Sequence, residues 1–247
     1  MDDPPSPTPR VTRTLLELVT IIVGVLIALA VDSWAAGRTD RELERHYLES
    51  MARDLRSDSA TFARLFLPAM AEKEQALRTI APVVRGGPLR GDTLEFLRRV
   101  GLGGRLGSTA PVNLTLATTH DELVATGHLA LIRSPALRGA IVEHYYRMRI
   151  QTDRLRARIA DYPMYVHRYV PAELRGLETE AEMRAFGLAR AVRGFRSPEF
   201  EALMNQELNF LFLARSVFEE GAVETQAMLR LVDAERARLG ASREAPP

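Results

Sequence analysis

Residues 17–34 read ELVTIIVGVLIALAVDSW, uncharged from Leu18 to Val31 and closed by Glu17 and Asp32. The core of that run is short for a spanning helix, which needs roughly 20 apolar residues. Leu15 and Leu16 extend it on one side, Trp34 stands where an interfacial aromatic belongs, and Arg10 and Arg13 can reach back to the surface at the other end. The stretch therefore reads as a transmembrane helix over residues 13–36. A cleaved signal peptide is the competing reading, because Ala28-Leu29-Ala30 has a small-x-small form behind a basic flank. Glu17 argues against it, since it interrupts a junction that a signal peptide keeps apolar.

On a helical projection Glu17, Gly24 and Ala28 fall in one narrow stripe, with Asp32 about 60° away. Gly24-xxx-Ala28 is the small-xxx-small spacing that lets two membrane helices approach closely, and a carboxyl at membrane depth faces protein or water. Glu17, Gly24, Ala28 and Asp32 are thus the candidate packing residues, for a homo-oligomer or a partner membrane protein. The plainer alternative is that Glu17 and Asp32 mark the two interfaces. Orientation is contested: Arg38, Arg41 and Arg45 outnumber Arg10 and Arg13 and pull toward the cytoplasm. The short N-terminal tail with its arginine pair favours a periplasmic soluble part.

Outward from this segment the pattern changes. Residues 1–12 carry Pro4, Pro5, Pro7 and Pro9 and read as a disordered tail. After Gly37, Leu43, Tyr47, Met51, Leu55, Phe62 and Leu65 recur at helical spacing, which predicts an amphipathic stalk over 37–67 that ends at Pro68. A second helix is expected over 69–84, stopped by Gly86-Gly87-Pro88, and a third opens at Asp92. Thr119 with Glu122 reads as a capping box, Gly127 as its left-handed terminator, and Ser134-Pro135 as the cap and first residue of a long helix reaching Tyr162. Helices over 172–193 and 197–239 follow, the latter with a possible break at Gly221. No stretch alternates with period two, so residues 68–240 read as an antiparallel helical bundle, with 241–247 a disordered tail. The fold class is all-α.

Composition removes several functions. With 33 Lys plus Arg against 32 Asp plus Glu, interleaved nearly one for one, the chain gives no electrostatic reason to expect nucleic acid. Lys73 is the single lysine, in a chain whose arginine bias reads as genomic background. No cysteine means no disulfide and no thiolate metal site. His46, His120, His128, His144 and His167 lack a Glu three residues before them, and HExxH is absent, so neither a di-iron nor a zincin motif is present. The run GLGGRLG misses the dinucleotide fingerprint, and no Walker loop or nucleophile elbow occurs. No catalytic, metal or cofactor residue is assigned. A pocket is conceivable around Glu122, Thr126, Gly127 and His128, beside Arg133 and Arg138, although capping and packing account for most of these residues.

Two stretches carry a resemblance. The segment ELVTIIVGVLIALAVDSW, the stalk from Tyr47-Leu48 to Asp54-Leu55, and THDELVATGHLALIRSPALRGAIVEHYY (residues 119–146) together resemble an uncharacterised bacterial family of single-pass membrane proteins. The likeness covers residues 15 to about 60 and 115–150; at Ser33 to Ala36 relatives are often more polar. It implies a membrane anchor and a helical domain, and no activity. The expected function is a membrane-anchored interaction or sensory module in the bacterial inner membrane. A structural or assembly subunit of a larger membrane complex is the alternative, and an unrecognised hydrolase a third.

Overall fold

The computed structural model of the protein describes residues 9–105, 113–157, 161–169 and 188–244. The elements are α1 (Pro9–Thr61), a π-helical turn (Phe62–Phe66), α2 (Leu67–Val84), α3 (Thr93–Gly103), α4 (Thr118–Ala125), a 3-10 turn (His128–Leu131), α5 (Pro135–Arg156), α6 (Asp161–Tyr169), α7 (Leu188–Gly194) and α8 (Pro198–Glu244). No strand occurs among the described residues, and the protein is all-α.

The chain is helical without interruption from Pro9 to Val84, where the sequence predicts a tail, an anchor, a stalk and a separate second helix. Proline is harmless in a first turn, where its missing N–H has no partner to lose, so Pro9 starts α1 inside the expected tail. The expected stop at Pro68 is replaced by a widening: the Leu67 N–H reaches the Phe62 carbonyl five residues back. That turn makes room for a ring that would otherwise press on the carbonyl four residues before it. Residues 1–8 and 245–247 lie outside the described residues, while α8 runs to Glu244, into the expected C-terminal tail.

The rod formed by α1 and α2 pairs with α8. Arg45 donates to the Leu239 carbonyl, Arg56 to Asp233, and Arg85 to Glu201. Partner numbers fall as rod numbers rise, so the two run antiparallel. The expected break at Gly221 does not occur. There the missing Cβ admits the Phe62 ring, whose Cζ would lie 2.8 Å from an added Cβ. Phe66 stacks on Phe218 beside it, centroids 4.8 Å apart.

Three apolar cores line this pair. At the end nearest the exposed apolar stretch of α1, Tyr47, Leu48, Met51 and Leu55 meet Leu123, Ile132, Leu137, Ile141 and the Met228–Leu239 end of α8. Around the π turn, Phe62, Phe66 and Met70 meet Met148, Leu155 and Phe218. At the far end Leu77, Ile80 and Val84 meet Phe96, Val100, Tyr162, Tyr165, Phe195 and Phe200.

Local signals fare unevenly. Asp92 caps α3 by accepting from the Leu94 N–H, and Ser134 caps α5 by accepting from the Leu137 N–H, both as expected. Gly127 takes φ +72°, the left-handed turn after α4. The helix opened by Ser134 ends at Arg156, short of Tyr162, which begins a separate packing unit in α6. Most of the expected helix over 172–193 lies outside the described residues.

Candidate functional site

From Leu18 to Val31 every large apolar side chain of α1 is exposed, Leu26 at 59%, and no other element covers them. This is the one helix among the described residues long and apolar enough to cross a membrane by length and composition. Gly24 has nothing within 4 Å of where a Cβ would stand, and Ala28 and Asp32 are exposed. The Glu17 side chain lies outside the described residues. Gly24, Ala28 and Asp32 are thus left uncovered by the other described residues.

Beyond Gly37 the same helix carries a ladder of polar groups on one face. Glu44, Tyr47, Asp54 and Asp58 recur at helical spacing, and each holds a piece of the segment 113–133. Glu44, fully buried, accepts the Arg133 N–H at 2.8 Å, and Arg133 also reaches the Gly37 carbonyl. The Tyr47 hydroxyl lies 3.1 Å from Glu122 Oε1 and 2.8 Å from His128 Nδ1. One hydroxyl proton cannot serve both, so the arrangement that satisfies all three has His128 donating to Tyr47 and Tyr47 donating to Glu122. Burial, and then the Glu122 contact, push the Tyr47 hydroxyl above its ordinary pKa, which keeps that proton in place.

Farther along, Asp54 accepts from both the N–H and the hydroxyl of Thr119, at 3.2 and 2.6 Å. Asp58 accepts from the Thr115 hydroxyl at 2.6 Å and the Leu116 N–H at 2.8 Å. The expected capping box is therefore absent. α4 starts after Ala117 with no side-chain cap from its own segment. A carboxylate on another helix outcompetes the local Glu122, because it reaches the free N–H groups with a full negative charge at the positive end of α4.

The pocket expected around Glu122, His128 and Arg133 resolves into two separate contacts. Glu122 and His128 meet at Tyr47, while Arg133 sits on Glu44. A cleft of about 460 Å³ lies one step away, between residues 113–124 and α5. His120 lies over Tyr145 in it, centroids 4.3 Å apart, and Leu114, Val124, Val142 and Tyr146 supply its apolar wall. Tyr145 Oη, of a residue lining the cleft, and Nε2 of the adjacent His144, which does not line it, are buried without a hydrogen-bond partner. Burial, with smaller contributions from Arg147 and His120, lowers the His144 pKa to about 4. Burial raises that of Tyr145, and Asp58, Asp54 and Asp121 add to the shift. Burial also lifts Asp58 above the usual carboxylate range despite its two hydrogen bonds.

A second buried polar group went unnoticed in the sequence. Lys73, the single lysine, is fully buried and paired with Glu207 of α8, with the Arg105 carbonyl 3.2 Å from its Nζ. One lysine among so many arginines was the available signal. Its burial shows only once the partner helix that carries Glu207 is known. No group of three or more metal-ligating side chains occurs among the described residues.

The stalk stretch Tyr47 to Leu55 and the stretch Thr119 to Ile132, distant in sequence, are thus the two sides of one interface. Neither a family model nor a curated protein nor a solved structure matches the chain.

Proposed function

We propose that the protein is a membrane-tethered sensory or interaction module, anchored by the first half of α1, with its helical bundle as the receiving domain. The observation that carries this reading is the continuity of α1. The helix whose exposed apolar residues suit a bilayer is the same one whose next turns form the core of the domain, without a loop between them. A helix that cannot bend at a loop passes displacement along its axis, and a packed two-state interface is what such displacement acts on. The cleft is tied to that rod, since Asp54 and Asp58 hold Thr119, Thr115 and Leu116 beside it. A small molecule seated there would pull on the rod through those carboxylates.

On this reading the anchor lies in the bacterial inner membrane, the soluble domain is periplasmic and the protein is not an enzyme. The resemblance read from the sequence implies the same anchor. Alkaline carbonate treatment of native membranes is the first test: the protein stays in the pellet, and its release into the supernatant would overturn the tether. Detergent extraction after mild crosslinking, with mass spectrometry of what accompanies the protein, tests the module. Recovery as a homo-oligomer supports self-contained sensing.

A second reading is favoured by the uncovered face at Gly24 and Ala28, next to Asp32. If a defined membrane partner co-purifies in fixed ratio, the protein is a subunit of a larger complex and that face is its contact.

A further inference from the structure

At 100° per residue Trp34, Arg38, Arg41 and Arg45 fall within an arc of about 60° on α1, while Asp32 and Asp40 lie more than about 90° from it. Up to Arg41 this face is open: Trp34 is 68% exposed, and Arg38 and Arg41 are exposed too, while Arg45 at its far end is half-buried against α8. A cleft of about 410 Å³ opens there, lined by Ser33, Trp34, Gly37, Arg38, Arg41, Glu42 and Arg45. Arg38 stands 5.9 Å over the Trp34 ring, and Arg45 is held by the Leu239 carbonyl at 3.2 Å. Arg41 has no ion pair among the described residues. The Arg38–Glu42 contact is 3.6 Å long and exposed on both sides, so it competes weakly for the guanidinium.

Resting on the membrane placement proposed above, we infer that this face binds the phosphate of an anionic lipid headgroup. Leu15 to Trp34 spans about 30 Å at 1.5 Å per residue, the thickness of the hydrocarbon layer. Trp34 then stands at the boundary where indoles settle. Arg38 follows about 6 Å beyond it, inside the headgroup layer, and Arg41 about 10 Å beyond. Side chains on a helix lean toward its N-terminus, which here is toward the bilayer, so both guanidiniums reach back to phosphate depth. Two forked donors on one side of an indole match the oxygens of a phosphodiester, and the charge favours a lipid with net negative charge over a zwitterionic one.

Trp34 is the only tryptophan, so its fluorescence reports on this site directly. The experiment places the full chain in nanodiscs of phosphatidylcholine containing a minority of brominated phosphatidylglycerol, or the same fraction of brominated phosphatidylcholine. Brominated phosphatidylglycerol is expected to quench Trp34 as though enriched about fivefold over its bulk fraction, and the double variant R38Q/R41Q should return it to bulk. R53Q, which removes an exposed arginine farther along α1, should leave the enrichment in place.

Quenching by both lipids in proportion to bulk fraction would overturn the inference while leaving the anchor standing. Persistence of the enrichment in R38Q/R41Q, or its equal loss in R53Q, would overturn it too. Loss of the enrichment on adding millimolar inorganic phosphate would mean that the arginines take free phosphate, and the lipid assignment would fall. Failure of either lipid to quench would instead overturn the membrane placement itself.

Discussion

Leu26 and Leu48 lie on one unbroken helix about six turns apart, yet Leu26 is largely exposed while Leu48 has no exposed surface. In the first half of α1 the apolar residues run all round the helix; in the second they keep to one stripe, and charged groups fill the rest. A helix apolar on every side has no reason to choose a partner within its own chain, while a striped one must choose. The same backbone thus passes from a segment that suits lipid to one that builds a core, and the change falls near Gly37. Behind the stripe, the core half also carries polar groups that would be intolerable without partners. Those groups are where the contrast is most easily broken.

The largest effect is expected farther along the rod, at Lys73 of α2. Lys73→Met leaves the fully buried Glu207 carboxylate without its cation, which costs about 3–5 kcal/mol. Lys73→Met with Glu207→Leu should recover most of that loss, because removing both charges also removes their desolvation. Thermal unfolding of the full chain in detergent reads both variants. A single variant as stable as the parent would mean that the pair does not hold α2 to α8.

Next comes the direct comparison between the halves. Leu48→Ala should destabilise the domain by about 2–5 kcal/mol, the cost of a cavity in a close-packed core. Leu26→Ala should leave the unfolding of the domain unchanged, since nothing in the fold touches it. Leu26→Arg should again spare the domain and release the protein from membranes, because a charge at the helix centre opposes insertion by about 2.5–3.5 kcal/mol. If Leu26→Ala lowered the unfolding midpoint as much as Leu48→Ala, the division of α1 into two halves would be wrong.

The halves should also differ in their response to acid. His144 is neutral in the fold with a pKa of about 4, against an ordinary 6.5, chiefly because burial penalises its charged form. Its pKa is depressed, so the unfolded chain takes up the proton first as pH falls. The stabilisation is complete above pH 6.5 and is lost progressively toward pH 4, at most about 3 kcal/mol. Asp58, raised by burial, acts with the opposite sign, becoming less unfavourable as it protonates. His144→Phe should flatten the fall in unfolding midpoint between pH 6.5 and 4.5, while carbonate-resistant membrane association stays the same. An unaltered pH profile would show that His144 is not the buried neutral group described.

How much of this was readable in advance follows from the range of the interactions. The apolar run, the caps at Asp92 and Ser134 and the left-handed Gly127 depend on a few neighbouring residues, and all stood in the sequence. Thr119 misled because its strongest partner, Asp54, lies on another helix 65 residues away. Pro68 and Gly221 read as breaks for the same reason: local propensity favours one, while a π turn at Phe62 and a ring packed against the glycine remove it. Of the site, Glu122, His128 and Arg133 stood together in the sequence as one conceivable pocket, whereas Glu122 and His128 meet at Tyr47 and Arg133 lies on Glu44. Tyr47, which joins Glu122 and His128, was read as core, and a tyrosine on an apolar stripe gives no sign of where its hydroxyl points.

That hydroxyl sets the smallest and most specific effect. Tyr47→Phe keeps the ring in the core beside Leu48 and His128 and removes one oxygen that serves both Glu122 and His128. Glu122 is exposed and His128 half-buried, so water can replace much of what is lost, and the expected cost is about 1 kcal/mol. The bond also joins the stalk half of α1 to the turn that follows α4, so its loss should act locally. Amide exchange should quicken in residues 122–132 and stay as it was in α2 and α3. His128→Ala should give the same pattern, and the double variant no more than either alone, since the two residues share one contact. If the double variant added the two single effects in full, Tyr47 and His128 would be holding the interface by separate contacts, and the ladder on α1 would be a set of independent rungs.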